Sequence, residues 1–151
     1  MPFPARLVLV TCAPVALGGI VALRTASAGP LAAVPAIVFG VVAATAPALY
    51  IASAAAGSAP PLGTMVRALG TALGAFGVAL AGLVLPAAFL ALTSIATTTT
   101  LVVTTGALAA AVGLALWRLH DELGRPQLAI FGTWALATCA LGGRLWWEVV
   151  S

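Results

Sequence analysis

The densest run of reactive side chains in this chain is Trp117-Arg118-Leu119-His120-Asp121-Glu122-Leu123-Gly124-Arg125-Pro126. A histidine beside two carboxylates invites general acid–base or metal chemistry, but such chemistry needs the groups to converge on one point. Neighbours in a helical sequence point in different directions, so His120, Asp121 and Glu122 form a poor constellation. Residues four apart do face each other, which pairs Arg118 with Glu122 and Asp121 with Arg125 along a helix surface. Gly124 fits a helix stop and Pro126 a fresh start. The segment reads as a solvated helix end running out of an apolar span. Arg118, His120, Asp121, Glu122 and Arg125 are then the expected docking turn for a cytoplasmic partner.

A second cluster, Thr97-Thr98-Thr99-Thr100 followed by Thr104-Thr105, offers a ladder of hydroxyls. It reads as a polar path, as hydroxyls bonding back to carbonyls in their own preceding turn, or as an outer loop with one threonine capping a helix. Back-bonding is the reading the residue type favours, since it costs a helix little. Ser53, Ser58 and Ser94 have no histidine or acid placed to activate them. Cys12 and Cys139 sit singly in apolar runs, where thiols behave as small hydrophobes, and their spacing matches no zinc or redox motif. A Cys12–Cys139 bridge requires the first and last spans to touch.

Missing residue types restrict the chemistry further. All six basic residues are arginine, and without lysine there is no Schiff base and no amine nucleophile. One histidine cannot supply two axial haem ligands. Asp121, Glu122 and Glu148 all lie at span edges, whereas ion-coupled carriers rely on ionisable groups deep in the membrane. The expectation is a non-enzyme with no cofactor and no metal, with bound lipid as the one small-molecule companion. Tyr50, Phe131 and Trp134 are the larger side chains placed to flank a pigment, quinone or lipid, although such aromatics more often pack plainly.

What must position these groups is apolar almost throughout. Six arginines and three acids are spread over 151 residues that are 63% hydrophobic, with a mean hydropathy of +1.21. A small water-soluble globule needs more polar exterior than that. Five apolar runs, approximately 7–23, 30–56, 66–92, 95–116 and 128–147, have the length of membrane spans, about 20 residues each. They use up nearly the whole chain, so the expectation is one polytopic all-α domain over 1–151, a bundle of about five transmembrane helices. The formal charge of +3 does not imply nucleic acid, because the arginines are single and no basic run tracks successive phosphates. Arg6, the run 7–23 and Ala26-Ser27-Ala28 have the three parts of a secretory signal. Arg24 directly after the run argues instead for a retained first span. The bias to Ala, Gly, Pro, Val and Arg over Lys suggests a GC-rich genome, and the expected location is a bacterial inner membrane.

The breaks between spans carry their own signals. Gly29-Pro30 punctuates the first, and Pro60-Pro61 the second, with Thr64 available as a cap for the third helix. The break around 92–97 has neither charge, Gly nor Pro. With the N-terminus cytoplasmic, Arg6, Arg67, Arg118 and Arg125 lie inside and Arg24 and Arg144 outside, in keeping with the positive-inside tendency. Trp117 on one side and Trp146-Trp147 on the other would anchor the interfaces, with Arg144 snorkelling. Pro14, Pro35, Pro47 and Pro86 fall within spans and would kink them. Gly70, Gly74 and Gly77, and Gly106 with Gly113, form small-residue strips suited to close helix packing, within the chain or against another subunit. A weaker strip is Gly132, Ala135, Cys139 and Gly142. These features point to a non-catalytic accessory or structural subunit of a larger membrane assembly, partnered by lipids, by other subunits or by itself. The rivals are a homo-oligomeric channel or small carrier with a Thr-lined path, and, more remotely, an enzyme acting on lipid.

Overall fold

The computed structural model describes residues 3–94, 96–124 and 128–150. Among them the chain is all-helical: α1 (Phe3–Thr25), α2 (Gly29–Ala55), α3 (Leu62–Thr93), α4 (Thr97–Glu122) and α5 (Leu128–Val150). Each helix contains a stretch long and apolar enough to cross a membrane, from 18 to 32 residues. A helix satisfies its own backbone groups, which is what a chain this short of polar side chains needs away from water.

The helix ends follow local chemistry. Pro30 sits in the first turn of α2, where its missing N–H is no loss and its φ is already helical. α3 begins directly after the Pro60-Pro61 pair, with Pro61 at the N-cap. Thr64 therefore lies inside the first turn rather than at the cap, because the Pro61 carbonyl already accepts the Thr64 and Met65 amides at 2.8 and 3.1 Å. Ala96, not a threonine, is the N-cap of α4, and its carbonyl accepts the Thr99 amide at 3.2 Å. α4 also runs on past the apolar stretch to Glu122, taking His120 with it.

Ala26, Gly57 and Gly124 all have positive φ, of 52°, 68° and 69°. Each follows the end of a helix. Beyond Ala26 the Ser27 amide reaches back to the Ala22 carbonyl, and beyond Gly57 the Ser58 amide reaches the Ser53 carbonyl. These are the long bonds of a Schellman ending. Glycine adopts this conformation freely, whereas Ala26 does so against its own Cβ, at a cost of roughly 1–2 kcal/mol.

α1 is the hub of the bundle. It packs on α2 and on α3; α3 carries α4 along its length, and α2 carries α5. The row α4–α3–α1–α2–α5 curls until α4 and α5 approach, touching only sparsely. Two close approaches hold α1 in place. A Cβ on Gly77 of α3 would lie 2.7 Å from the Val10 backbone nitrogen, and one on Gly18 would strike the Pro30 carbonyl oxygen. The buried side chains form two clusters. One gathers Leu17, Val34, Phe76, Leu80, Ala111 and Trp146; the other gathers Leu49, Met65, Ala68, Leu119 and Phe131. Pro14, Pro35, Pro47 and Pro86 all lie inside helices.

Candidate functional site

The expected docking turn is only partly gathered. Arg118, Asp121 and Glu122 are exposed. His120 is half-buried and turns towards α5, with its ring edge-on to Phe131 at a centroid distance of 5.2 Å. Phe131 in turn meets Trp134 at 5.8 Å. Arg125, and with it the expected Asp121–Arg125 pair, lies outside the described residues. Among the described residues the ion pair is Arg144–Glu148, at 3.1 Å with both side chains exposed. The Arg118–Glu122 pair expected from spacing is not formed, since holding two exposed side chains together gains little against their lost freedom. Among the described residues no three of His, Cys, Asp and Glu form a metal-holding group.

Thr100 and Thr105 of the ladder tie helices together, while Thr104 bonds back within α4. Thr104 is buried and its hydroxyl donates to the Thr100 carbonyl at 2.7 Å. Thr100 Oγ1 accepts the Arg24 Nε–H at 3.1 Å, while Arg24 Nη2 donates to the Ser94 carbonyl. Thr105 Oγ1 accepts the indole N–H of Trp146 at 2.9 Å. One more tie crosses from α5 to α2, where Trp134 Nε1 donates to the Thr45 carbonyl at 2.7 Å.

The tryptophans expected as interface anchors divide. Trp117 is 64% exposed and Trp147 62%, whereas Trp146 is 4% exposed and faces into the bundle. Adjacent helical residues lie about 100° apart, so only one of the Trp146-Trp147 pair can face the Thr105 hydroxyl. The glycines divide as well. Gly77 is pressed against α1 and Gly74 is buried, while Gly70, Gly106 and Gly113 have nothing described within 4 Å of a notional Cβ. Cys12 and Cys139 are free thiols, both exposed.

Between the two core clusters lies a cavity of about 310 Å³, lined from four helices. On α4 its wall is a single stripe, Thr105, Leu108, Ala109, Val112, Ala115, Leu116 and Leu119, at the three- and four-residue steps of one helix face. On α5 the facing stripe is Trp134, Thr138, Cys139, Gly142, Gly143 and Trp146. Val41 of α2 and Phe76 of α3 close the back. The wall is apolar apart from a few atoms. Thr105 Oγ1 is already engaged by Trp146. Thr138 Oγ1 is, among the described residues, a buried hydroxyl without a hydrogen-bond partner. Ala109, Cys139 and Gly143 line the cavity and are also exposed, which puts its mouth on the α4–α5 face.

Sequence reasoning missed this cavity and the partners of Arg24. Two weak signals were there: glycines paired at 142 and 143, and an arginine placed at the very end of an apolar run. No family model, no curated protein and no solved structure matches this chain.

Proposed function

We propose that the chain is a non-catalytic integral membrane protein of five spans, with its N-terminus cytoplasmic, serving as an accessory subunit of a larger membrane assembly. The carrying observation is how polar and apolar groups divide. The outward surface is studded with large apolar side chains on every helix, among them Leu23, Ile51, Leu85, Val102 and Leu136. Several polar groups inside the bundle are spent on one another, as Arg24 is on Ser94 and Thr100, and Trp146 on Thr105. Lipid is the solvent that suits such an exterior. The subunit role is supported by the outward strip of Gly106, Ala110 and Gly113 on α4, all exposed. Such small residues allow a second helix to approach closely where lipid removes the hydrophobic drive for association.

The orientation rests on arginine. Arg67 and Arg118 lie at the end of the bundle that holds the α2–α3 loop, where α1 also begins with Arg6 in its first turn. Arg24 and Arg144 lie at the other end, and the Arg24 guanidinium is taken up by internal acceptors. The bias favours the first end as cytoplasmic.

Native mass measurement of the particle extracted in mild detergent tests this reading. Unlike membrane partners in fixed stoichiometry are the expected result. A symmetric ring of identical chains that conducts ions in a planar bilayer would transfer the case to the channel reading. A chain that stays soluble without amphiphile would overturn the membrane assignment altogether.

A further inference from the structure

We propose that the slot between α4 and α5 holds one acyl tail of a membrane phospholipid. The inference rests on the membrane reading above and adds a specific occupant to it.

Shape is the first argument. The α4 wall runs from Thr105 to Leu119, which at 1.5 Å per residue is about 20 Å along the helix. The facing wall from Trp134 to Trp146 covers about 18 Å on the same rise. A volume of about 310 Å³ drawn out over that length is long and narrow, suited to an extended chain rather than a fused ring.

The wall chemistry is the second argument. An apolar cavity of about 150 Å³ already stays dry, because water needs two or more polar partners. Here Thr105 is engaged and Thr138 supplies one unmet hydroxyl, too little to hold a file of water. Left empty, the slot would forfeit the dispersion contacts of its whole lining. The material that reaches a mouth bordered by Ala109, Cys139 and Gly143 in a bilayer is hydrocarbon. Gly142 and Gly143 present bare backbone to the space, with nothing within 4 Å of a notional Cβ, so the wall leaves room for a chain that larger residues would occupy.

The test uses full-length protein reconstituted in vesicles of dioleoyl phosphatidylcholine with added polyprenol, then extracted in mild detergent for native mass measurement. Wild type is expected to retain one phosphatidylcholine per chain. Gly142→Leu, which fills the slot, is expected to lower that retention about tenfold, equivalent to about 1.4 kcal/mol. Ala140→Leu, exposed on α5 and not on the lining, is expected to retain the lipid. Wild type without lipid, retention of polyprenol instead, or equal retention by wild type and Gly142→Leu each overturn the proposal.

A second measurement needs no variant. Cys139 lines the slot and Cys12 does not. In delipidated protein, N-ethylmaleimide alkylation of Cys139 should slow about tenfold when phosphatidylcholine is restored at ten times its dissociation constant, with Cys12 unchanged. Equal behaviour of the two thiols counts against the slot. Failure here with a protein that still requires amphiphile sinks the slot alone; solubility without amphiphile sinks the membrane reading beneath it.

Discussion

Arg24, at the end of α1, donates its Nε–H to the hydroxyl of Thr100, 76 residues further along, at 3.1 Å. The same guanidinium donates to the Ser94 carbonyl, so one side chain binds the α1–α2 turn to the α3–α4 turn. Thr100 is itself buried, and its carbonyl accepts from Thr104. The charge at the rim of the first apolar run therefore acts as an internal strut.

Hydrogen bonds to charged groups contribute about 1.5–3 kcal/mol each in measured series, and Arg24 is half-buried. Arg24→Ala should lower unfolding free energy by about 2 kcal/mol in mixed-micelle denaturation. Arg24→Lys should recover less than half of that loss, because an ammonium lacks the fork that reaches two acceptors at once. An alanine variant as stable as wild type would remove the strut from the account.

The glycines of α3 separate packing from mere permissiveness. A Cβ at Gly77 meets Val10 backbone at 2.7 Å, and backbone cannot swing aside as a flexible side chain can. Gly77→Ala should cost about 1–3 kcal/mol. Gly70→Ala, which enters open space, should be neutral or gain up to about 1 kcal/mol from helix propensity. Both are read from the same denaturation curves, and a reversed order would mean that α1 does not sit against Gly77.

Ala26 offers the opposite sign. It holds φ 52° at the end of α1, where glycine carries no Cβ penalty. Ala26→Gly should stabilise the protein by about 0.5–1 kcal/mol after the entropy cost of glycine in the unfolded chain. A loss of stability would show that the left-handed ending does not persist in the folded protein.

Five apolar helices were legible from the length of the apolar runs, and three of their four breaks from Gly-Pro, Pro-Pro and Gly124, while the break around 92–97 carried no such signal. The order of the helices around the bundle was not. Sequence periodicity reports a buried face only when the other face is polar, and here both are apolar. The small-residue strips show the same ambiguity: Gly77 and Gly106 look alike in sequence, yet one presses on Val10 and the other faces outward. Of the candidate turn, the divergence of His120 from Asp121 and Glu122 was readable from helix geometry, while its packing on Phe131 depends on how α5 returns. Trp146 and Trp147 were indistinguishable until the Thr105 hydroxyl selected one of them.

Two threonines with buried hydroxyls provide a matched test of what a hydroxyl contributes inside this bundle. Thr104 is fully buried and bonded to the Thr100 carbonyl at 2.7 Å. The Thr138 hydroxyl is buried and, among the described residues, unpartnered. Valine is close in shape to threonine, so each substitution removes mainly the hydroxyl. A typical net hydrogen bond contributes about 1 kcal/mol, whereas an unsatisfied buried donor costs about 1–3 kcal/mol. Thr104→Val should therefore destabilise by about 1 kcal/mol and Thr138→Val should stabilise by a similar amount. The sign difference is the diagnostic, because a general effect of added methyl groups would move both variants together. If Thr138→Val destabilises as Thr104→Val does, the Thr138 hydroxyl has a partner in the folded protein, and a polar atom of a bound molecule in the slot becomes the first place to look for it.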